Sequence, residues 1–256
     1  MTKIISAEEL INLITLDNKL AKNIDIWKKT TKNIIYKNDN RILTVVGPCS
    51  IHNPSEALEY AKKLKELIKK YDNLFIVMRV YFEKPRTTIW WKWLINDPDL
   101  DWSFNIEKWL KVARELLLKI TKMWIPVSTE FLDPISHQYI WDLITWWAIW
   151  ARTTESQVHR ELASWLSSII WFKNWTYWDI QIAIDAILSA DKTHRFLWVS
   201  KSWNISTIKT KWNKNTHIIL RWWKNWTNYD IKSIEDTNKK LKNSNIETWI
   251  MIDASH

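Results

Sequence analysis

Seven short apolar runs, each followed by an amphipathic segment, predict a parallel α/β fold for this chain. Two further observations narrow the prediction. The runs are continuously apolar, as strands buried on both faces are. Nearly every run also finishes on a chemically capable side chain. That favours a (β/α)8 barrel, in which the site is built from the C-terminal strand ends, over an open doubly wound sheet.

Taken in order, residues 7–37 read as helical, with Leu10, Ile11, Leu13, Ile14, Ile24, Ile26, Ile34 and Ile35 as their apolar positions. They form an extension, residues 1–38, ahead of a barrel domain at 39–256. Ile42–Val46 is a short β-rich run, and 54–71 is an amphipathic helix carrying Ala57, Leu58, Ala61, Leu64 and Leu67. A run at 74–80 precedes a long polar loop and a helix at 105–122. Further runs lie at 126–131, 147–151, 168–172, 217–220 and 248–252, with helical patterns at 134–145, 155–166, 178–190 and 229–243 between them. Residues 194–210 alternate like an inserted β-hairpin.

Composition excludes several classes. No stretch of about 20 apolar residues exists to cross a membrane, and Met1–Lys22 lacks a signal-peptide core. A single cysteine, Cys49, rules out an internal disulfide framework. These features predict a cytoplasmic protein. The net charge of +9 comes from lysines spread along helices and loops, the pattern of a solvated face rather than of a nucleic-acid groove.

One imbalance governs how the motifs are read: the chain has 1 glycine and 22 tryptophans. Asn174-Trp175 and Asn225-Trp226 stand where a turn calls for Asn-Gly, and Trp203 and Trp212 lie in polar loops. Glycine serves such places because it reaches positive φ without steric cost. Most of these tryptophans are therefore read as glycine positions, through a UGA codon that the source reads as glycine. A genuinely Trp-rich chain that stacks nucleic-acid bases is the competing reading.

The strand ends carry the chemistry. The first run ends at Gly47-Pro48-Cys49-Ser50 and the second at Arg79; the later runs supply Glu130, Arg152, Lys173, Arg221 and His256. Such an excess of cations at one rim predicts an anionic substrate with carboxylate or phosphate groups. The loop Lys84-Pro85-Arg86-Thr87-Thr88, with Lys92 beyond it, suits a phosphate monoester, a solvated basic loop being the bland alternative. Cys49 and His256 are candidate ligands of a transition metal. Two ligands are too few for a closed site, and a Cys/His nucleophilic pair stays open.

The segments GPCSIHNP (47–54), MRVYFEKPRTT (78–88), LINDP (94–98), TEFLD (129–133), ARTTESQVHRELAS (151–164), FKN (172–174), HIILR (217–221) and MIDASH (251–256) are together highly specific. The chain resembles the microbial class I 3-deoxy-D-arabino-heptulosonate 7-phosphate (DAHP) synthases from about residue 40 onward, and more loosely before it. Where that family has glycine, this chain has Trp90, Trp93, Trp109, Trp124, Trp147, Trp150, Trp165, Trp171, Trp175, Trp222 and Trp223; Trp91 and Trp146 match true family tryptophans.

The resemblance implies a transferase of the shikimate pathway that condenses phosphoenolpyruvate with erythrose 4-phosphate and water, giving DAHP and phosphate. It implies that Arg79, Lys92, Glu130, Arg152, Lys173 and Arg221 hold phosphoenolpyruvate, and that Lys84, Arg86 and Thr87 hold erythrose 4-phosphate, with Lys84 and Arg79 as catalytic groups. Cys49 and His256 would bind one divalent metal ion (Mn, Fe, Co or Zn). A dimer or tetramer is implied for the full-length protein. So is an aromatic amino acid effector, near the N-terminal helices, Ser136–Gln138 and Leu166–Ser167. The family continues past His256 through an eighth strand, a final helix and two more metal ligands. The chain is accordingly read as a TIM barrel lacking its last strand and helix, and as inactive or nearly so by itself. Bulky Trp150, Trp222 and Trp223 are expected to crowd the ligand. The alternatives are a 3-deoxy-D-manno-octulosonate 8-phosphate synthase-like enzyme and a non-catalytic remnant.

Overall fold

The computed structural model describes residues 3–82, 97–99, 101–131, 133–166, 168–174, 179–221 and 227–254. The chain forms two compact units. One comprises Met1–Thr31, Asn40–Trp146 and Val199–Ser206; the other comprises Lys32–Asp39, Trp147–Trp198 and Thr207–His256.

The first unit opens with α1 (Ala7–Leu13) and α2 (Asn18–Ile35). Ser6 and Glu9 close a reciprocal capping box at the start of α1. The single helix expected over 7–37 is interrupted because Asp17 accepts a 2.8 Å hydrogen bond from the Leu20 amide and starts a second helix. β1 (Ile42–Val46) runs parallel to β2 (Leu74–Arg79) in the register Ile42 opposite Leu74 to Val46 opposite Met78. β2 in turn pairs in parallel with β3 (Val127–Glu130), setting Arg79 opposite Ser128. The crossovers are α3 (Pro54–Ile68), capped by Asn53 with Pro54 in its first turn, and α4 (Ile106–Lys122), capped by Asn105. β2 and β3 are buried, whereas β1, on one side of β2, is half-exposed.

The helix expected at 134–145 is replaced by two short 3-10 turns, Ser136–Tyr139 and Trp141–Leu143. Competing polar contacts explain the difference. The Asp133 carboxylate takes the Ile135 and Ser136 amides at 2.7 and 2.8 Å. Fully buried Arg114, on α4, grips Asp142 through both guanidinium nitrogens (2.7 and 2.8 Å) and the Tyr139 carbonyl at 2.8 Å. Arg114 Nε also donates to the Ile14 carbonyl at 2.8 Å, which ties the α1 end to this segment.

The second unit contains β4 (Trp146–Ile149) from its second residue, α5 (Gln157–Trp165), β5 (Ile169–Lys173), α6 (Ile180–Ala190), β8 (Thr216–Arg221), α7 (Ile231–Asn243) and β9 (Met251–Asp253), while the hairpin β6 (Arg195–Val199) and β7 (Ile205–Lys209) is divided between the units. β5, β8 and β9 pair in parallel: Lys173 lies opposite Ile219, and Arg221 opposite Asp253. β4, β5 and β8 are wholly buried, and β9 is half-exposed. The seven parallel-type strands and the hairpin fall where the apolar runs predict them. Among the described residues no helix is long and apolar enough to cross a membrane.

Among the described residues, three tryptophans adopt the left-handed backbone that favours glycine: Trp102 (φ 68°), Trp124 (φ 67°) and Trp203 (φ 63°). Trp124 follows α4, where its amide closes onto the Thr121 carbonyl, and Trp203 sits in the β6–β7 turn. Such a conformation costs an L-residue about 1–2 kcal/mol. These are the helix-end and hairpin positions where glycine is ordinarily found.

Candidate active site

In the first unit, the strand ends set two expected groups on one sheet face. Arg79 lies opposite Ser128, and Glu130 is two residues beyond Ser128 on the same strand. The Arg79 guanidinium donates 2.9 Å to the Cys49 carbonyl and lies 4.0 Å from the centre of the Tyr81 ring. Its buried Nε meets no acceptor among the described residues, so one donor remains for an incoming anion. Glu130 is buried at the end of β3. The Cys49 thiol is exposed and takes no part in a disulfide.

The loop after β1 approaches Arg79 closely because Gly47 has no side chain. A Cβ there would stand 2.4 Å from the Arg79 carbonyl oxygen and 2.9 Å from its Cβ. The single glycine of the sequence thus occupies a place where a methyl group does not fit.

In the second unit, Lys173, Arg221 and Asp253 share a face by register, since residues two apart on a strand point the same way. Lys173 and Arg221 are 1% and 4% exposed. The Lys173 ammonium pairs with the Asp253 carboxylate. It also lies 4.6 Å from the centre of the Trp150 ring and 5.6 Å from that of Trp171. Burial pulls the Arg221 guanidinium below its ordinary pKa; Asp253 opposes this and Arg152 adds to it. Arg152 is itself exposed, in the turn after β4.

The surrounding backbone is fixed by side chains. Asn174, fully buried, accepts the Arg221 amide at 2.9 Å, and its own amide donates to the Ile219 carbonyl at 3.1 Å. The Thr154 hydroxyl contacts the Trp150 and Lys173 carbonyls at 2.9 and 3.1 Å. Asp253 and Asn174 were not among the expected site residues. A signal for Asp253 is present: it is the carboxylate directly after the last apolar run, between Ile252 and Ala254. Lys84, Arg86, Thr87, Lys92 and His256 lie outside the described residues, as do Trp222 and Trp223. Among the described residues no three His, Cys, Asp or Glu side chains gather as a metal site.

A family model for the DAHP synthetase I family matches residues 18–256. The chain belongs to this family. As a member it is 51% identical over 230 residues to a putative phospho-2-dehydro-3-deoxyheptonate aldolase of Schizosaccharomyces pombe, covering 90% of this chain and 62% of that one. It is 43% identical over 254 residues to the Tyr-sensitive phospho-2-dehydro-3-deoxyheptonate aldolase of Escherichia coli, covering 99% and 71%. The solved structure of a phospho-2-dehydro-3-deoxyheptonate aldolase from Francisella tularensis superposes with a TM-score of 0.97 at 52% identity, over 100% of this chain and 75% of that one. The chain thus spans somewhat under two thirds to about three quarters of the length of these three relatives. Its fold is that of the corresponding part of a DAHP synthase.

Proposed function

We propose that the chain serves the condensation of phosphoenolpyruvate with erythrose 4-phosphate and water to give DAHP and phosphate. The observation that carries this reading is the cluster of Lys173 and Arg221, two buried cations at strand ends with one carboxylate between them, in a chain of this family. Buried cations gathered at strand ends suit an anionic ligand.

Arg79, Lys92, Glu130, Arg152, Lys173 and Arg221 are assigned to phosphoenolpyruvate, and Lys84, Arg86 and Thr87 to erythrose 4-phosphate. Arginine suits the first task because its planar fork takes a carboxylate or phosphate in two parallel hydrogen bonds. The condensation joins C3 of the enolpyruvate to the aldehyde carbon. Water adds to C2, and the phosphate leaves from C2. Two substrates that repel one another must be held together for this, and fixed cations both align them and stabilise the charge that develops.

Cys49 and His256 are assigned to one divalent metal ion. The exposed Cys49 thiol is of the donor type that transition metals favour and is open to a ligand. Such an ion would supply Lewis-acid polarisation of the aldehyde. The sensitivity to tyrosine in the description of the Escherichia coli relative supports an aromatic amino acid effector here as well. A homo-oligomer and a cytoplasmic location complete the proposal.

Turnover tests it. Phosphate release from phosphoenolpyruvate, slow as it is expected to be for this chain, should be stimulated by erythrose 4-phosphate and not by arabinose 5-phosphate. Preference for arabinose 5-phosphate would move the chain to the sister octulosonate reaction.

A further inference from the structure

We propose that Asp253 is a positioning residue that holds the Lys173 ammonium toward the anion taken up at the ends of β5 and β8. The inference rests on the reading of that cluster as a phosphoenolpyruvate site. It adds a residue and a role that the cation pattern alone does not contain.

Three observations carry it. The register puts Asp253 beside Arg221 on β9 and β8, on the face that also bears Lys173. The carboxylate contacts the ammonium directly, where the lysine side chain is 2% and the aspartate side chain 16% exposed. Finally, the ammonium also lies against the Trp150 and Trp171 rings, whose faces attract a cation but do not aim its N–H bonds.

The register also favours this role. Asp253 lies beside both buried cations, opposite Arg221 and in contact with Lys173, so an incoming carboxylate or phosphate meets an ammonium whose direction is already set.

The test is a calorimetric titration with phosphoenolpyruvate of the wild-type chain, Asp253→Asn, Asp253→Glu, Lys173→Met and the double variant Asp253→Asn/Lys173→Met. Asp253→Asn is expected to weaken binding by about tenfold or more, since it breaks a buried charge pair. Asp253→Glu, which keeps the charge, is expected to restore most of that loss. In the Lys173→Met background the Asn substitution is expected to add less than about twofold, because its partner is already gone. Unchanged or tighter binding by Asp253→Asn overturns the proposal, as does an equal loss in both backgrounds, which would mark a general structural role. Absence of binding by the wild type instead overturns the functional reading, and the inference with it. Should Asp253→Asn not fold, 15N spectra of the wild-type lysine ammonium groups decide. A Lys173 signal, assigned with Lys173→Met, is expected to be protected from solvent and to shift on adding phosphoenolpyruvate; an unprotected or unmoved signal overturns the proposal.

Discussion

Gly47 and Arg79 meet so closely that a Cβ on Gly47 would lie 2.4 Å from the Arg79 carbonyl oxygen. The obstructing atoms are mainly backbone, in a strand that is itself largely buried, so the strain cannot be relieved by a rotamer change. Gly47→Ala is predicted to destabilise the chain by about 1–3 kcal/mol, as overpacking does. It should also displace the Arg79 guanidinium from the Cys49 carbonyl. Urea unfolding measures the first effect and a structure of the variant the second.

Arg114 and Asp142 form a two-pronged pair whose arginine is fully buried. Arg114→Met leaves the Asp142 carboxylate without that partner and frees the Tyr139 and Ile14 carbonyls. A loss of about 3–5 kcal/mol is predicted, the cost of breaking a buried pair by removing one partner. The urea midpoint reports it. Replacing both residues by apolar ones of similar volume should cost less than the single change.

His217 gives the chain a pH dependence. Burial pushes its imidazole from 6.5 down to about 4, with a backbone hydrogen bond at Ile218 opposing. Below pH 6.5 the unfolded chain takes up a proton that the native chain refuses until about pH 4. The unfolded state thus binds more protons in this window, and stability falls as pH is lowered through it, by ~3 kcal/mol in all. His217→Gln should remove this part of the slope. Urea midpoints at several pH values between 4 and 7 would show the flattening.

Trp102 and Trp124 hold left-handed backbone while 70% and 49% exposed, so little buried surface is lost on trimming them. Trp102→Gly and Trp124→Gly are each predicted to stabilise by about 1 kcal/mol, against the usual expectation for a glycine substitution. A rise in Tm checks this. The same logic predicts that protein isolated from its natural source has a mass lower than the sequence requires, by one indole side chain for each glycine inserted at a tryptophan position. Intact-mass spectrometry would find a match to the written sequence if the tryptophans are genuine.

Much of the fold was legible in the sequence because buried parallel strands leave continuous apolar runs. Ile42–Val46 was read to the residue as β1, and the hairpin at 194–210 became β6 and β7. Misreadings arose where a polar side chain redirects the backbone. Asp17 splits the first helix, and Asp133 with Arg114 replaces the helix at 134–145 by two short turns. Apolar periodicity cannot register such contacts, because polar side chains make them, Asp17 and Asp133 on amides two or three residues on and Arg114 on Asp142 across the fold. The site followed the same rule. Arg79, Glu130, Lys173 and Arg221 were visible as polar ends of apolar runs, while Asp253 needed the β8–β9 register to place it beside Arg221. Asn174 was read only as a turn residue, yet it fastens the Arg221 amide.

The central claim is that strand-end cations bind phosphoenolpyruvate. Calorimetric titration of the wild-type chain and of Arg221→Ala tests it most directly. The account predicts saturable binding to the wild type, weakened by about tenfold or more in the variant, as expected for loss of a charged hydrogen-bond donor. Equal affinity in the two proteins, or no saturable binding to the wild type, would contradict it.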